Sequence, residues 1–329
     1  MAEPRILTIV LNYKTAQMTL RAAAAARAAM KDLPGEIVIV DNDSQDGSFD
    51  EMKAHVTGQG WSDTRVIQSG RNGGYGAGNN VGIRAGMSDG SRPDYVYILN
   101  SDAFPKPKAV KVLYDHLNTA PSTGLAGSYI EGDDEVQHIT TFRFPSVWSE
   151  LEGAIRFGPV SRLLKSHRVP RELTATAQVD WLAGASVMIR QDVLDEIGLF
   201  DETFFLYFEE TDLCRRATKA GHQVMFLADS QVTHIGSVST GMKEWQRVPD
   251  YWFASRWHYL TKNHGRPYAA CATALHLVGG GLHWLRCKLS HRPHDGAPHF
   301  LRTMARHDAS SLFKSQRGQP AQVDPQTGE

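Results

Sequence analysis

The sequence predicts an α/β fold with a mostly parallel central sheet flanked by helices. The first observation is a βαβ pattern, in which the apolar runs Ile6–Leu11 and Glu36–Val40 flank the helix-forming segment Thr15–Met30. Strands joined in this way are parallel, and the crossover between them is right-handed. The second observation is the apolar run Tyr95–Leu99, which ends abruptly in the polar stretch Asn100–Asp102. Ligands of open α/β sheets bind beyond the carboxyl ends of the strands, so this stretch marks an expected site.

Length and composition describe an ordinary globular protein without a charge bias. The chain has 329 residues, of which 41% are apolar and 22% charged, and its formal net charge is −1. This balance gives no support to nucleic-acid binding. The cysteines, Cys214, Cys271 and Cys287, are scattered and lack metal-ligand spacing, which favours a reducing compartment. The first apolar run, Ile6–Leu11, is too short for a signal peptide, so we expect a cytoplasmic protein.

The loops that follow the first two strands are polar. Asn12, Tyr13 and Lys14 follow the first strand, so the Gly-x-Gly-x-x-Gly fingerprint of dinucleotide-binding proteins is absent there. The second strand ends in Asp41–Ser48, a dense cluster of turn residues. Two interpretations stay open: a polar loop that caps the next helix, or a site where the Asp41 carboxylate accepts hydrogen bonds from a nucleobase or a ribose. Taken alone, this cluster favours the capping loop.

A glycine-rich segment follows the predicted third strand, Thr64–Ile67. The glycines of Arg71–Asn80 permit close approach of the backbone to a ligand. We expect a helix over Val81–Met87, whose first backbone N–H groups would face an anionic phosphate. A flexible lid or a plain turn would have the same composition.

Asn100 and Asp102 lie two residues apart, so both side chains point to the same side of an extended backbone. There they would hold a hard divalent cation that bridges phosphate oxygens. The alternative is a plain turn, because Asn, Ser and Asp also end strands without any chemistry.

The middle of the chain alternates between order and irregularity. We expect a helix at Lys106–His116 and a strand at Gly124–Ile130. Prolines and a basic stretch over residues 131–177 predict an irregular insertion, either a wall for a second substrate or a surface excursion. Order returns with a strand in Val179–Arg190 and a short helix at Gln191–Ile197.

An acidic cluster directly follows an aromatic run late in the chain. The run Phe204–Phe208 leads into Glu209, Glu210 and Asp212, and a helix is expected over Leu213–Lys219. Acidic residues suit a helix N-terminus. Three carboxylates behind an aromatic run nevertheless favour a site.

A histidine lies in a polar loop after the last predicted strand, Val224–Leu227. Histidines in loops are more often held by a hydrogen bond than used as ligands. His234 therefore indicates a site only if the fold gives it a partner.

The composition changes from Tyr251 onwards, where aromatic and basic residues mix. The apolar segment Tyr268–Leu289 lacks the ~20 uninterrupted apolar residues of a membrane-spanning helix. Two interpretations stay open: an amphipathic cationic segment on a membrane surface, or a helical extension packed on the core or on a second subunit. The basic residues expected to flank the membrane-facing side chains are Arg256, Lys262, Arg266, Arg286 and Lys288. The polar tail from Gln316 is expected to be disordered.

The order of these motifs resembles that of the family 2 inverting glycosyltransferases. From the N-terminus they are TIVLNY, DNDSQDGS, NGGYGAGNN, YILNSD, WLAGASVMIR and FFLYFEETDLCRR, followed by the late histidine. The resemblance covers residues 6–239 and is closest to the bacterial rhamnosyltransferase-like branch that builds cell-surface polysaccharide. It implies a GT-A type, Rossmann-like fold with a glycosyltransferase domain over 1–245, a helical extension over 246–315 and a disordered tail over 316–329.

The same resemblance implies roles for individual residues. The nucleotide-sugar donor would be bound by Leu11, Asn12, Asp41, Asn72, Gly74, Asn80, Asn100, Ser101 and Asp102. The metal ligands would be Asp102 and His234, with Asn100 standing where the family's Asp-x-Asp motif has a carboxylate. Glu210 would be the catalytic base, because the family's Glu-Asp motif appears here as Glu209-Glu210. The acceptor side would be shaped by Trp181, Gly184, Ala185 and Glu209.

The resemblance implies an inverting transferase that uses Mg²⁺ or Mn²⁺ to move L-rhamnose from dTDP-rhamnose to a lipid-linked or polysaccharide acceptor. Other donors remain open on the same scaffold, namely UDP-galactofuranose, UDP-glucose and GDP-mannose, as does a non-catalytic sugar-nucleotide-binding subunit. A nucleotidyltransferase would be expected to carry a glycine-rich basic loop after the first strand, and Leu11–Lys14 is not one. We expect the protein at the inner face of the cytoplasmic membrane, with a homodimer as the competing use of its extension.

Overall fold

The computed structural model describes residues 3–236, 247–293 and 296–313. The strands are β1 (Ile6–Asn12), β2 (Gly35–Asp41), β3 (Thr64–Gln68), β4 (Tyr95–Asn100), β5 (Ala103–Pro105), β6 (Thr123–Glu131), β7 (Thr141–Phe142), β8 (Pro170–Arg171), β9 (Ala177–Val179), β10 (Trp181–Leu182), β11 (Ser186–Arg190) and β12 (Gln223–His234). The helices are α1 (Ala16–Ala29), α2 (Ser48–Gly58), α3 (Gly74–Ala85), α4 (Ala109–Thr119), α5 (Val147–Ile155), α6 (Gly158–Leu163), α7 (Gln191–Ile197), α8 (Glu209–Lys219), α9 (Asp250–His264), α10 (Arg266–Leu289) and α11 (Phe300–Phe313).

The central sheet has the order β3-β2-β1-β4-β11-β6-β12-β5, with β9 also paired to β12. Strands β1 to β4 are parallel, and β12 is parallel to β6. Strand β11 runs antiparallel between β4 and β6. The predicted α/β class with a mostly parallel, helix-flanked sheet is therefore confirmed.

Helices cover both faces of this sheet because its strands alternate between two apolar cores. In β1, Ile6 and Val10 pack with α1, α2 and α4, whereas Leu7 and Ile9 pack with α3, α7 and α8. Nearly every side chain of the strand is buried. The polar residues at its carboxyl end are thereby held at one fixed edge of the sheet.

The glycine-rich segment differs from its prediction. We expected a loop over Arg71–Asn80 and a helix over Val81–Met87, but α3 begins at Gly74 and ends at Ala85. A Cβ atom on Gly78 would lie 2.5 Å from a Leu11 methyl carbon, so a side chain there would displace Leu11. Gly78 thus lets α3 lie close to β1, while Gly74 and Gly76 lie against Phe205 and Phe200.

The insertion and the C-terminal helices form a common layer. Within residues 131–177, expected to be irregular, helix α5 packs along α10. Arg256 of α9 is buried and pairs with Glu150 of α5 and Asp308 of α11, at 3.0 Å in each case. The expected domain boundary at 245/246 and the expected tail at 316–329 lie outside the described residues.

Candidate active site

The carboxyl ends of β1 and β2 are joined by side-chain hydrogen bonds. The Asn12 amide nitrogen donates to Asp41 Oδ1 at 2.8 Å and to Ser44 Oγ at 3.1 Å. The Ser44 hydroxyl in turn donates to the same Asp41 oxygen at 2.5 Å. Asn12 and Asp41 are buried at adjacent positions on β1 and β2. The amide of Asn12 is occupied in holding Asp41, and Leu11 packs against α3.

The next hydrogen-bonded group links the β2 loop to the start of α3. Asn42 donates to Asn72 Oδ1 at 3.0 Å, and the same oxygen accepts the Gly74 backbone N–H at 3.1 Å. Asn42 Oδ1 and Asn79 Oδ1 are buried without a hydrogen-bond partner in the described part of the chain. Buried amide oxygens without partners are costly, so each of these two atoms can accept a hydrogen bond from a bound water or a ligand.

Asn80 occupies a different position from the other predicted donor residues. Its amide nitrogen donates to the Phe200 carbonyl at 2.8 Å and to Glu202 Oε1 at 3.0 Å. Its oxygen accepts the Phe200 backbone N–H at 3.0 Å. Asn80 thus fastens α3 to the loop before α8, and its contacts are structural.

The predicted metal residues come together through strand pairing. Strand β5 pairs with β12, which sets Ala103 opposite His234 and brings the preceding Asp102 to the imidazole. His234 Nε2 lies 3.0 Å from Asp102 Oδ1 and 3.5 Å from Asn100 Nδ2. His234 therefore has the partner that its assignment required. Ser101 is buried beside them, with its hydroxyl 3.4 Å from that of Thr15.

The residues at this edge fit a divalent cation. Asn100 Oδ1 is buried and accepts no hydrogen bond from the described residues. One carboxylate, one imidazole and one unpartnered amide oxygen suit an ion that takes its remaining ligands from phosphates and water. No group of three or more His, Cys, Asp or Glu residues suited to a metal ion occurs in the described ranges.

The acidic cluster forms the first turn of α8, which begins at Glu209 rather than at the expected Leu213. Glu209 Oε2 and Glu210 Oε2 are both buried, and neither has a hydrogen-bond partner among the described residues. Burial raises the pKa of Glu209 well above its ordinary value, and the neighbouring Glu210 charge adds to that shift. Burial also raises the pKa of Glu210, partly offset by backbone hydrogen bonds. The pair therefore holds protons more tightly than solvent-exposed glutamates do.

The backbone that leads into α8 is strained. Tyr207 and Phe208 both have φ near 69°, a left-handed conformation that aromatic residues rarely adopt. The Phe205 carbonyl accepts the Tyr75 backbone N–H at 3.0 Å, and Gly74 leaves room for that contact. Strain of this kind persists where the surrounding structure enforces it, and it is common at active sites.

Beside Glu210 lies a pocket of about 300 Å³, called the aromatic pocket below because Trp181, Tyr207, Phe208 and Trp252 form part of its wall. Its lining residues are Pro145, Ser149, Glu150, Gly153, Val169, Trp181, Tyr207, Phe208, Glu210, Thr211, Trp252 and His276. Helix α8 with the turn before it, the insertion and the C-terminal helices all contribute to this wall. Sequence reasoning missed Tyr207, Trp252 and His276, although the aromatic and basic mixture after Tyr251 was a usable sign.

The residues expected on the acceptor side have different environments. Trp181 lines the pocket, stacks on Phe142 at 4.1 Å between ring centroids, and donates its indole N–H to the Arg143 carbonyl at 2.9 Å. The Gly184 carbonyl accepts the Tyr75 hydroxyl at 2.7 Å. Ala185 is buried in the core, so only Trp181 of the three reaches the pocket.

The model of the family described as "Glycosyl transferase family 2" matches residues 6–198, more than half of the chain. The chain belongs to this family. The protein is accordingly a glycosyltransferase. The match ends before Glu209, Glu210 and His234, so their assignment depends on the geometry described above.

Two curated relatives of this family 2 glycosyltransferase are rhamnosyltransferases by name. The N-acetylglucosaminyl-diphospho-decaprenol L-rhamnosyltransferase of Mycobacterium tuberculosis is 28% identical over 221 residues, which cover 63% of this chain and 69% of the relative. Rhamnosyltransferase WbbL of Escherichia coli is 24% identical over 165 residues, covering 49% of this chain and 60% of the relative.

Solved structures of low sequence identity share the fold. GalNAc-T7, solved with UDP, GalNAc and Mn²⁺, superposes with a TM-score of 0.57 at 12% identity. The superposition covers 93% of this glycosyltransferase and 55% of the GalNAc-T7 chain. Staphylococcus aureus TarS gives a TM-score of 0.51 at 13% identity, with 85% of this chain and 43% of TarS covered. These likenesses confirm the GT-A type fold.

Proposed function

We propose that this glycosyltransferase moves L-rhamnose from dTDP-rhamnose to a lipid-linked or polysaccharide acceptor in cell-surface glycan synthesis. The observation that carries the proposal is the position of Glu210, a buried carboxyl group in the wall of the aromatic pocket. Asp102 and His234 lie at the carboxyl ends of β4 and β12, here called the strand-end edge, and neither of them lines the pocket. The rhamnosyltransferase names of two relatives favour this sugar over UDP-galactofuranose, UDP-glucose or GDP-mannose.

The proposed donor side is the strand-end edge. Asp41, Asn42 and Asn72 would bind the base, ribose and phosphates, and Asn100, Asp102 and His234 would hold Mg²⁺ or Mn²⁺. A cation bound there supplies positive charge for the diphosphate leaving group. GalNAc-T7 was solved with Mn²⁺, which supports a metal in a fold of this type.

The proposed acceptor side is the pocket. Glu210 would take the proton of an acceptor hydroxyl while that oxygen forms a bond to the anomeric carbon. The bond from that carbon to the diphosphate oxygen breaks at the same time, and the nucleoside diphosphate leaves with the bonding electrons. A single displacement from the opposite face inverts the anomeric configuration. Trp181 and Trp252 would stack on sugar rings and exclude water.

Donor specificity and base assignment are tested together on the purified protein. We expect release of nucleoside diphosphate from dTDP-rhamnose in preference to the three other donors. Glu210→Gln should lower turnover by ~10²–10⁴-fold, because a positioned base is lost, while donor binding is kept. Glu209→Gln is the matched control, and its turnover should fall less than that of Glu210→Gln. A dead Glu209→Gln beside an active Glu210→Gln would move the base by one residue, and full activity of both would refute the mechanism.

Metal dependence is tested at Asp102. Asp102→Ala should lose metal-dependent turnover and Mn²⁺ binding measured by electron paramagnetic resonance, while the melting temperature stays close to wild type. Asn100→Asp should bind Mn²⁺ more tightly, because it restores a carboxylate beside the imidazole. Wild-type turnover by Asp102→Ala in excess chelator would show that the reaction needs no metal at this edge.

A further inference from the structure

The outward face of α10 carries an exposed apolar stripe. Its members recur at three- and four-residue spacing, which places them on one side of the helix. They are Cys271, Ala274, Val278, Leu282, Leu285 and Leu289, all exposed. Val278 is 56% and Leu289 73% exposed. From Cys271 to Leu289 the stripe is about 27 Å long.

The opposite side of α10 is used for packing. A Cβ atom on Gly279 would lie 3.1 Å from the Leu151 carbonyl oxygen of α5. One on Gly280 would lie 2.7 Å from a Leu301 methyl carbon of α11. The stripe therefore faces away from every helix packed on α10 in the described part of the chain.

The charged residues on α10 and in the neighbouring segment 153–171 are all basic. Residues 266–293 contain no Asp or Glu, and neither do residues 153–171, which follow the middle of α5 and continue through α6. The exposed Lys and Arg residues of these two segments are Arg156, Arg162, Lys165, Arg168, Arg266, Lys288 and Arg292, with Arg266 alone at the start of α10. The Arg286 guanidinium lies 5.1 Å from the Phe157 ring centroid and joins the two segments at the end of the stripe. Phe157 and Leu163 of the second segment are themselves exposed, at 41% and 81%.

Two residues expected to face a membrane are engaged elsewhere. Arg256 is 1% exposed in its ion pairs, so its expected place on the surface is wrong. Lys262 donates to Asp201 at 2.7 Å and to Asp212 at 2.8 Å. The cationic surface is thus formed by the far end of α10 together with residues 156–171.

We propose that this surface, the α10 stripe with the basic residues of 156–171 and 286–292, binds an anionic lipid bilayer. An apolar face rimmed by basic side chains fits the plane of the headgroups, where the Val and Leu side chains enter the acyl boundary. Arg and Lys side chains then meet anionic headgroups. A second copy of the same surface would bring like charges together, which disfavours self-association through it. No helix in the described ranges is both long and apolar enough to cross a membrane.

The proposed membrane surface and the aromatic pocket both include residues of α10, and α5 lines the pocket and leads into residues 156–171 of the surface. Ser149, Glu150 and Gly153 of α5 and His276 of α10 line the pocket that contains Glu210. Docking α10 on a bilayer would therefore hold the pocket wall beside the membrane that carries a lipid-linked acceptor. This consequence rests on the proposed function, whereas bilayer binding itself does not.

Flotation of the full chain with lipid vesicles tests the proposal. We expect binding to phosphatidylglycerol vesicles, weaker binding as salt rises, and no binding to phosphatidylcholine vesicles. The double variant Leu282→Gln with Leu285→Gln should bind roughly tenfold more weakly, because two apolar side chains leave the interface. Both residues are about half exposed, at 50% and 45%, so the variant should melt like wild type. The matched control, Val136→Gln with Ile139→Gln, removes two exposed apolar side chains at another site and should bind normally.

Three outcomes would overturn the proposal. The first is flotation of the Leu282/Leu285 variant equal to wild type, and the second is absence of wild-type binding to anionic vesicles. The third is a dimer in light scattering that the Leu282/Leu285 variant disrupts, which would assign the surface to self-association. Binding without any sugar transfer would refute the proposed function and leave the membrane surface standing.

Discussion

At the scale of single residues, Glu209 and Glu210 differ in what surrounds them although both are buried at the start of α8. Glu210 lines the aromatic pocket, whereas Glu209 lies behind it, 2% exposed, beside Gly76 of α3. Ionising Glu209 brings a second negative charge next to Glu210 in a poorly solvated place. Glu209 therefore contributes a cost to the folded state at neutral pH.

We predict that Glu209→Gln stabilises the protein at neutral pH. The folded-state pKa of Glu209 is raised, so the folded protein binds more protons than the unfolded chain above about pH 4.3. The free energy of unfolding therefore falls as pH rises from the unfolded-state pKa of Glu209 towards its folded-state pKa. The neutral amide of Gln does not ionise, so the variant avoids this loss. Thermal melts should show the variant above wild type at pH 7 and equal to it near pH 3. A lower melting temperature at pH 7 would mean that the Glu209 charge is stabilising.

The candidate residues were predictable where a local sequence pattern, a polar cluster after an apolar run, indicates them. Asp102 and Glu210 each lie in a polar cluster that follows an apolar run. In the structure Asp102 follows the carboxyl end of β4, and Glu210 lies in the first turn of α8. His234 carried no such mark, because its partner is 132 positions away and only the pairing of β5 with β12 brings them together. Tyr75 was missed because its hydroxyl contact with Gly184 depends on the packing of α3.

At the scale of elements, strands were predicted better than helix starts. The limits of β1 to β4 match the predicted strands closely, and β1, β2 and β4 were the clearest because these buried strands read as nearly continuous apolar segments. Helix α3 starts seven positions before its predicted start at Val81, since glycine-rich sequence reads as a loop. Tertiary packing against β1 overrides that preference. The insertion was the least predictable part, because α5 depends on helices far along the chain.

We predict that Gly74→Ala lowers turnover by displacing the segment that precedes Glu209. Gly74 has φ +86°, and an added Cβ would lie 1.8 Å from the Phe205 carbonyl oxygen. The strained turn at Tyr207 and Phe208 follows directly and would shift with Phe205. The matched control is Gly90→Ala, because Gly90 has φ +75° with no atom within 4 Å of the added Cβ. Alanine is strained by the positive φ at both positions, so the two variants differ in the contact with Phe205. Equal turnover of the two variants would show that this contact is unimportant.

At the scale of the whole molecule, a buried charged cluster joins the insertion to the C-terminal helices. Glu150 accepts hydrogen bonds from Arg256 at 3.0 Å and is 2.7 Å from His276 Nδ1. Although burial opposes ionisation, Arg256 and His276 hold the pKa of Glu150 at about 2. Asp308 accepts from Arg256 and from Thr273, so α5, α9, α10 and α11 meet at one guanidinium.

We predict that Arg256→Met destabilises the protein by about 3–5 kcal/mol, because it leaves Glu150 and Asp308 buried without their cation. Arg92→Met is the matched control, since the Arg92–Asp195 pair is about half exposed on both sides. Its loss should cost about 0–1 kcal/mol. Urea unfolding followed by circular dichroism compares the two. Equal free energies of unfolding for the two variants would contradict a stabilising role for the cluster.

The contact between α5 and α10 also fixes when the pocket can exist during synthesis. His276 and Glu150 are 126 positions apart, and both line the pocket beside Glu210. Strands β1 to β4 leave the ribosome before α10 and can pair early, since domains generally fold from the N-terminal side during translation. The acceptor wall is completed only after α10 has left the exit tunnel. A nascent chain can thus complete the edge that holds Asp41 and Asp102 before the pocket beside Glu210 exists, so the proposed donor side can form earlier than the proposed acceptor side.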